Sequence, residues 1–274
     1  MRLVTFRTSD GVAVGRLEGD RIAHLAAPDM LTWLRGEGTE ETGAATALED
    51  ATLLAPVPEP PSVRDFFAFE EHVATGWRRR GGEIPPAWFE IPVFYFSNPA
   101  SIHGPGEPVR KPAATSLLDF ELEVAAVIGA EGRIAGFTLF NDWSARDVQR
   151  EEMTVGLGPA KGKDFAISLG PWLVTPDELP LRNGRLAVTA TATVNGAQLT
   201  HSDASEMHWS WDEVLAHAAR DTRLRPGDVI GSGTLNRGCL LELGPLPGTD
   251  RFLEPGDVVE LAADGLGVLR TEIV

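Results

Sequence analysis

Three acidic side chains stand at alternate positions in the segment Asp119-Phe-Glu121-Leu-Glu123, directly before an apolar run. On a β-strand, residues at this spacing point to the same face, so the three carboxylates would lie close together. Neighbouring anions repel one another unless a cation or water stabilises them. Oxygen ligands without nearby cysteines or paired histidines suit Mg²⁺, Ca²⁺ or Mn²⁺ and argue against zinc at this segment. A solvated acidic strand face has the same spacing, so the spacing alone leaves both interpretations open.

Three further residues could take part in chemistry. Asp142 follows a second apolar run and could supply another metal ligand or cap a helix. His72, seven residues after Asp65, is of the type that most often acts as a general base near neutral pH, although a surface or packing histidine would look the same. Lys163 lies in a glycine-bounded stretch, where its ammonium could meet an anionic substrate or lie in a loop.

Composition and motifs exclude several classes of protein. The 274 residues include 24 Lys+Arg and 40 Asp+Glu, and the net charge of −16 argues against binding to nucleic acid or to an anionic membrane. A single cysteine, Cys239, excludes an internal disulfide and any CxxC motif. The segment Gly231-Ser-Gly-Thr234 has the spacing of neither a nucleophile elbow nor a phosphate loop. No apolar run approaches the roughly 18 residues of a membrane span, so we expect a soluble, cytoplasmic protein.

The candidate residues need strands and short helices to position them. The 29 glycines and 20 prolines favour many turns between short strands, which predicts a β-rich α+β fold. The run after Glu121 reads as a strand entering a core, with Ile134 to Phe140 as its partner. A helix is predicted over Trp143 to Gln149, with Asn141-Asp142 at its start, and it would place Asp142, Arg146 and Gln149 on one face.

Local signals mark the boundaries of other elements. Asn195-Gly196 predicts a hairpin turn, and Ser210 with Glu213 predicts a capping box at the start of a helix. The first 25 residues predict two or three short strands, around Leu3 to Phe6, Val12 to Leu17 and Ile22 to His24. The proline-rich stretch 56–62 predicts a linker between a small N-terminal module, 1–55, and a catalytic domain, 63–274.

From about Asp65 to Val274 the chain resembles the fumarylacetoacetate hydrolase family. The motifs that carry the resemblance are Asp119-Phe-Glu-Leu-Glu123, Gly136-Phe-Thr-Leu-Phe-Asn-Asp-Trp-Ser-Ala-Arg-Asp-Val-Gln149, Gly162-Lys-Asp-Phe165, Ser168-Leu-Gly-Pro-Trp172 and Leu224-Arg-Pro-Gly-Asp-Val-Ile-Gly-Ser-Gly-Thr234. The Asn-Asp-x-Ser-Ala-Arg-Asp core is specific to that family. The resemblance implies a mixed β-roll or β-sandwich catalytic domain, a homodimer and a divalent metal, Mg²⁺ or Ca²⁺ with Mn²⁺ as a further option, bound by carboxylates.

The resemblance also implies a role for each residue that matches a family position. The implied metal ligands are Asp65, Glu121, Glu123 and Asp142; the implied catalytic residues are His72, Glu242 and Lys163; and the implied substrate-binding residues are Arg146, Gln149, Tyr95 and Thr234. His72 would activate water, with Glu242 as its orienting carboxylate. Phe67 and Ile167 replace a tyrosine and a threonine that are common in the family, and Thr75 replaces the glutamate of the small members. These departures leave the substrate open.

The function that the resemblance implies is hydrolysis of a carbon–carbon bond in a 1,3-diketo acid, such as fumarylacetoacetate or an acylpyruvate. The alternative is isomerisation, tautomerisation or decarboxylation of a related oxo-diacid in aromatic catabolism, because the same enolate serves all of these reactions. A non-catalytic, metal-stabilised binding subunit is a third reading. The partner expected in each enzymatic case is a small-molecule diketo acid, with no nucleic acid and no membrane.

Overall fold

Short strands separated by turns make up most of the regular structure. The computed structural model describes residues 1–9 and 11–274. In that part of the chain the strands are β1 (Arg2–Thr8), β2 (Gly11–Glu18), β3 (Arg21–Leu25), β4 (Glu41–Ala47), β5 (Thr52–Leu53), β6 (Val63–Phe66), β7 (Phe94–Ser97), β8 (Ile102–His103), β9 (Leu118–Asp119), β10 (Leu122–Ile128), β11 (Ile134–Asp142), β12 (Ser144–Ala145), β13 (Ile167–Val174), β14 (Leu181–Arg182), β15 (Arg185–Leu186), β16 (Thr189–Val194), β17 (Ala197–Asp203), β18 (Val229–Gly231), β19 (Val258–Ala263) and β20 (Gly267–Glu272). The α-helices are α1 (Met30–Leu34), α2 (Glu70–Arg79), α3 (Arg146–Glu152), α4 (Trp211–Ala218) and α5 (Leu240–Leu243). The predicted β-rich α+β fold is confirmed.

A large mixed sheet forms the centre of the fold. Its strand order is β4-β3-β2-β1-β13-β11-β10-β18-β6-β7, with β5 and β8 paired to β1 and β13. Strand β10 is buried at every position, as expected for an apolar run that is covered on both faces. It pairs antiparallel with β11, as predicted, and with β18, whereas β18 and β6 run parallel.

A second sheet packs on one face of the first. Its order is β17-β16-β19-β20, and β16 alternates between buried and half-buried residues. Val124 and Leu139 of the large sheet share one apolar core with Ala192 and Leu261 of the second sheet. On the opposite face, Val127 packs in a separate core that includes residues of α1. The large sheet is therefore covered on both sides around β10.

The local turn and cap signals are confirmed. Asn195 and Gly196 connect β16 to β17 with φ angles of 51° and 79°, the positive values that a two-residue type I′ turn requires. At the start of α4, the hydroxyl of Ser210 accepts from the Glu213 amide at 3.3 Å, and the Glu213 carboxylate accepts from the Ser210 amide at 2.8 Å. These signals depend on residues within a few positions of one another, which explains why the sequence reveals them.

The predicted helix over Trp143 to Gln149 is wrong in its start. Strand β11 continues to Asp142, which pairs with Ile167 on β13, and α3 begins at Arg146. Pairing with β13 satisfies the backbone there, and it outweighs the preference of Asp142 for a helix N-terminus. Asp142 therefore does not cap a helix, nor does it share a helix face with Arg146 and Gln149.

The three acids of the first motif do not lie on one continuous strand, contrary to the prediction. Strand β9 ends at Asp119, which pairs with Ser144 on β12, and β10 begins only at Leu122. The chain thus leaves one ladder and enters another between these residues. Glu121 and Glu123 stay together, but Asp119 points to different partners.

The N-terminal strands extend the large sheet. The three predicted strands are present as β1, β2 and β3, and β1 pairs with β13 through Arg2 opposite Val174 and Leu3 opposite Leu173. The proline-rich stretch packs beneath them, with Val57 buried and the hydroxyl of Thr5 donating to the carbonyl of Pro56 at 2.7 Å. A domain boundary at 56–62 stays a prediction. None of the described helices is long and apolar enough to cross a membrane.

Candidate metal and substrate site

Four acidic side chains meet at one edge of the central strands. Asp65 on β6, Glu121 just before β10, Glu123 on β10 and Asp142 at the end of β11 are all buried. Each offers a carboxylate oxygen, and these oxygens all lie within 4.8 Å of one another. The four residues predicted as metal ligands are therefore brought together by strands that are distant in sequence and adjacent in the sheet.

Two glycines make room for this cluster. Strand β18 lies between β6 and β10, and a Cβ on Gly231 would stand 2.5 Å from Oδ1 of Asp65 and 3.2 Å from Oε2 of Glu123. The amide of Gly233, at a φ of +81°, donates to Oδ1 of Asp65 at 3.2 Å and to Oε2 of Glu123 at 3.0 Å. The Gly-Ser-Gly segment thus acts as a backbone donor and a steric gap beside the carboxylates.

Burial makes the negative charge of the cluster costly. It raises the pKa of Asp65 well above its usual value, and the charge of Asp142 raises it further. Burial also raises the pKa of Glu123, and the negative charge of Asp65 raises it further. Burial raises the pKa of Asp142 as well, although the nearby ammonium of Lys163 lowers it. Without a cation, the cluster therefore holds protons that ordinary carboxylates would lose.

Two buried cations border the cluster on its Glu121 side. Lys163 forms ion pairs with Glu121 and, at 2.6 Å, with Oδ2 of Asp142, and the Tyr95 hydroxyl donates to the same carboxylate. Arg146 Nη1 lies 2.7 Å from Oε1 of Glu121. Burial alone would raise the pKa of Glu121, but Arg146 and Lys163 outweigh it and hold that pKa far below its usual range.

The cluster has the chemistry of a divalent metal site. Oδ1 of Asp142 and Oε1 of Glu123 are buried, and neither has a hydrogen-bond partner within residues 1–9 and 11–274. A buried carboxylate oxygen that lacks a partner is costly, and a bound cation would satisfy both atoms. An all-oxygen ligand set suits Mg²⁺, Ca²⁺ or Mn²⁺. The residues present therefore fit the metal that the resemblance implies.

A histidine–carboxylate pair lies beside the cluster. Nδ1 of His72, on α2, is 3.0 Å from Oε2 of Glu242, on α5, and both side chains are buried. The backbone amides of Arg237 and Gly238 donate to Glu242 at 3.0 and 3.1 Å. An ionised carboxylate only accepts hydrogen bonds, so in the pair with ionised Glu242 the ring donates through Nδ1 and Nε2 is its acceptor nitrogen.

Asp119 positions the helix that carries Glu242. Its carboxylate accepts from the amides of Leu240 and Leu241, at 2.7 and 2.9 Å, which are the first two residues of α5. The same carboxylate binds Nε of Arg146 at 2.7 Å. Asp119, which lies outside the metal cluster, therefore connects Arg146 to the helix that carries Glu242.

Most of the predicted site residues line one cavity of about 430 Å³. Those at its wall are Asp65, His72, Tyr95, Glu121, Glu123, Arg146, Gln149, Lys163 and Thr234. Asp142 and Glu242 lie behind them, in contact with Lys163 and His72. Nη2 of Arg146 is buried and has no hydrogen-bond partner in the described part of the chain, which leaves it available to an anionic ligand. The structure thus brings all eleven predicted residues together, and their individual roles stay predictions.

The other half of the cavity is apolar. Phe67, Trp77 and Trp88 line it, and the Phe67 ring stands 5.4 Å from the His72 ring in an edge-to-face arrangement. Trp88 is fixed by a hydrogen bond from its indole to the carbonyl of Phe67 at 2.6 Å. Arg80 lies at the same wall, against Trp77. Sequence reasoning noted the lost hydroxyl at Phe67 but missed the two tryptophans, because no local pattern connects them to the site.

Sequence reasoning also missed the role of Gly231 and Gly233. The signal was present in the segment 231–234, whose spacing matched no known loop motif and whose glycines flank a single serine. A pair of glycines next to a buried strand indicates close approach of a backbone, which is what the carboxylates require. Cys239, beside Glu242, was noted only for its lack of a disulfide partner.

A mixed sheet, a buried carboxylate cluster that could hold a metal ion and a histidine–carboxylate pair meet at one cavity, which is the arrangement of an enzyme active site. The family models identify the class more narrowly. Residues 62–274 match the model described as fumarylacetoacetate (FAA) hydrolase C-terminal, and residues 1–56 match the model described as Rv2993c-like, N-terminal. The chain belongs to the fumarylacetoacetate hydrolase family.

Individual relatives support the same assignment. A fumarylacetoacetase of Arabidopsis thaliana is 32% identical over 71% of this chain and 63% of its own length, so the chain spans less than two thirds of that relative. The structure of a 5-carboxymethyl-2-hydroxymuconate delta-isomerase from Mycobacterium smegmatis matches with a TM-score of 0.77 and 30% identity over 100% of this chain and 99% of that one. A fumarylacetoacetate hydrolase from Exiguobacterium antarcticum matches with a TM-score of 0.79 and 26% identity over 100% and 99%.

Proposed function

We propose that this protein hydrolyses a carbon–carbon bond in a 1,3-diketo acid. The observation that carries the proposal is the His72–Glu242 pair, whose Nδ1 to Oε2 distance is 3.0 Å, at a cavity that the buried carboxylates also line. The pair would supply an oriented base, and the same cavity is lined by the carboxylates of the candidate metal site and by two buried cations, Arg146 and Lys163. Hydrolysis of a diketo acid needs a base, a metal ion and positive charge to stabilise the oxyanion.

The chain's own residues account for the movement of protons. Nε2 of His72 takes a proton from water, while Glu242 holds the ring through Nδ1 and stabilises the imidazolium that forms. The hydroxyl adds to the distal carbonyl carbon of the substrate. The bond between that carbon and the central carbon then breaks, its electron pair passes to the central carbon as an enolate, and a proton returns to that carbon. The products are a carboxylic acid and a shorter oxo-acid.

Positive charge at the cavity would stabilise the substrate and the oxyanion. Asp65, Glu121, Glu123 and Asp142 would hold a divalent cation, which supplies Lewis-acid polarisation of the substrate's oxygens when bound. Nη2 of Arg146, which has no hydrogen-bond partner among the described residues, would bind the substrate carboxylate. Lys163 and the amide of Gln149 lie on the same side of the cavity as Arg146 and would bind the developing negative charge.

Isomerisation or decarboxylation of a related oxo-diacid is the second candidate. It is favoured by the full-length match to a protein named as a muconate delta-isomerase. Such a reaction would use the same cation and the same cavity without adding water. Isomerisation moves a proton from one carbon to another, whereas decarboxylation breaks the bond to a carboxylate, releases CO2 and protonates the carbon that is left. The two candidates therefore differ in their products.

The deciding experiment mixes purified protein with fumarylacetoacetate and with simple acylpyruvates, and follows the ultraviolet absorbance in Mg²⁺ and in chelator. Metal-dependent loss of the diketo absorbance, with stoichiometric formation of two acids, supports the hydrolase. A spectral change without formation of two acids, with or without release of CO2, favours the second candidate. Metal occupancy without turnover of any substrate would support a non-catalytic role and contradict both.

A further inference from the structure

A second group of possible metal ligands lies outside the acidic cluster. His72, Cys239 and Glu242 offer a nitrogen, a sulfur and an oxygen that all lie within 4.8 Å of one another. Sγ of Cys239 is 3.8 Å from Nδ1 of His72 and 3.4 Å from Oε2 of Glu242, and Nδ1 and Oε2 are 3.0 Å apart. The three atoms form a compact triangle beside the cavity that His72 lines.

The dimensions of this triangle fit tetrahedral zinc. Bonds of about 2.0–2.1 Å to nitrogen and oxygen and of about 2.3 Å to sulfur place the ligand atoms of a tetrahedral site roughly 3.3–3.6 Å apart. The observed separations are 3.0, 3.4 and 3.8 Å, so each lies within about 0.3 Å of that range. Zinc could therefore bind after shifts of only a few tenths of an ångström in the side chains.

The ligand types separate this group from the carboxylate cluster. A thiolate and an imidazole bind zinc far better than Mg²⁺ or Ca²⁺, which prefer oxygen ligands alone. Three protein ligands also leave a fourth position for water or a small anion, as in zinc sites that are not closed. The chain thus carries a hard-cation site and, next to it, a group of ligands suited to a softer ion.

We propose that Zn²⁺ binds His72, Cys239 and Glu242 and thereby inhibits the enzyme. Binding replaces the hydrogen bond between His72 and Glu242 with a metal bond to each residue, and the proton of the Cys239 thiol passes to solvent. The ring changes tautomer, so that its proton leaves Nδ1 for solvent and Nε2 takes one up; Nδ1 then gives its lone pair to zinc, and Nε2 becomes an N–H donor that can no longer act as the base. The binding itself stands on the geometry, whereas the inhibition rests on the proposed function.

Binding can be measured without any substrate. Co²⁺ serves as the probe, added to protein whose carboxylate cluster is saturated with Mg²⁺, because a cobalt–thiolate bond gives a charge-transfer band in the ultraviolet. Cys239 is the only cysteine of the chain, so such a band has a single possible source. We expect one equivalent of Co²⁺ to produce the band and one equivalent of Zn²⁺ to remove it.

Cys239→Ser is the matched variant, because serine keeps a hydrogen-bond donor next to Glu242 but removes the soft ligand. The band should vanish, and the affinity for Zn²⁺ should fall by about 100-fold or more. Asp65→Asn should retain the band, which would show that the carboxylate cluster does not produce it. Absence of the band in the wild-type protein, or equal Zn²⁺ affinity in Cys239→Ser, would overturn the proposal.

The inhibition is tested separately, with Mg²⁺ in excess and a substrate that turns over. Zn²⁺ should stop turnover of the wild-type protein at concentrations that leave Cys239→Ser active. If the band appears and Zn²⁺ does not inhibit, the site exists but His72 is not the base, and the proposed function is contradicted. If Zn²⁺ inhibits both proteins equally, the inhibitory site lies elsewhere and the proposal is wrong.

Discussion

His72 and Glu242 are 170 positions apart in the chain and are joined by one hydrogen bond. The hydrogen bond fixes the imidazole ring through Nδ1, and His72 lines the cavity. Around them, each charged side chain has a defined partner: Asp119 binds Arg146, Glu121 binds Lys163, and Glu242 binds two backbone amides. At the scale of single residues, the site is a set of buried charged groups, each held by a hydrogen bond or an ion pair to a named partner.

We expect His72→Ala to lower kcat by about 10²–10⁴-fold while leaving metal affinity unchanged, because the ring is a base and not a ligand of the carboxylate cluster. Glu242→Gln should lower kcat with little change in KM, since an amide cannot stabilise the imidazolium. Steady-state kinetics and calorimetric Mg²⁺ titration check both variants. Nearly full activity of His72→Ala would contradict the mechanism.

The raised pKa values of Asp65 and Glu123 predict how the metal-free protein responds to pH. Their usual values are 3.8 and 4.5, so above that range the unfolded chain releases protons that the folded cluster keeps. The free energy of unfolding should therefore decrease as pH rises above about 4.5, and it should level off where the folded carboxyl groups also lose their protons. Glu121, whose pKa is lowered, has the opposite effect only below its usual value of 4.5.

Urea unfolding at several pH values, in chelator and in excess Mg²⁺, measures this dependence. Asp65→Asn should flatten the slope in chelator and lose the stabilisation by Mg²⁺, which reaches about 2.7 kcal/mol at a hundred times Kd. Asp250→Asn, at an exposed position, is the control and should leave both unchanged. A metal-free protein whose stability rises over the same pH range would contradict the assignment of these charges.

At the scale of elements, the site depends on how closely β6, β18 and β10 approach one another. Gly231→Ala would place a methyl group 2.5 Å from Oδ1 of Asp65, so the carboxylate must move. We expect a large loss of Mg²⁺ affinity, measured as the shift in thermal midpoint on adding Mg²⁺. Gly76→Ala, in α2 with no atom within 4 Å of the added Cβ, makes the same chemical change and should keep the Mg²⁺ shift. It should also stabilise α2 by about 0.5–1 kcal/mol.

The apolar wall built by α2 and the segment before β7 predicts substrate preference. Phe67, Trp77 and Trp88 supply apolar surface there, and the guanidinium of Arg80, at the same wall, lies against the Trp77 ring. Across a series of acylpyruvates, kcat/KM should rise by about fourfold for each methylene that becomes buried, which corresponds to about 0.8 kcal/mol. Trp88→Ala should flatten that rise while leaving acetylpyruvate nearly unaffected. A higher kcat/KM for fumarylacetoacetate than for every apolar acylpyruvate would show that the wall does not select the acyl group.

At the scale of the whole molecule, the large sheet ends at β7 with exposed apolar side chains nearby. Phe96 is 64% exposed, and Phe89, Ile91 and Val93 are exposed next to it. An edge strand with apolar side chains is a surface that proteins normally cover. We propose that a second copy of the chain covers it in a homodimer, as the family resemblance implies.

Sedimentation equilibrium should therefore give a mass about twice the 29.5 kDa of the chain. Phe96→Arg, which puts a charge into the apolar surface, should shift the protein towards monomer. Arg133→Glu, at an exposed position in the turn between β10 and β11, serves as a surface control and should leave the mass unchanged. A monomer in the wild-type protein would contradict the proposal.

Local interactions explain what the sequence by itself determined. The turn at Asn195-Gly196, the capping box at Ser210 and the buried strand after Glu121 depend on neighbours within a few positions, so residue types and spacing are sufficient. Distinctive motifs indicated the family, and the resemblance to that family implied which residues lie at the site. Spacing alone left the metal site undecided, because an exposed acidic strand has the same pattern.

Only the tertiary structure determines which charged side chains lie in contact with one another. Asp119 lies outside the acidic cluster because β9 pairs with β12. Asp142 lies within the cluster because β11 continues along β13 and does not end in a helix cap. The tryptophans of the cavity and the position of Cys239 beside the histidine–carboxylate pair likewise arise from contacts between distant segments. Such contacts depend on strand pairing across the whole sheet, and no local preference in the chain encodes them.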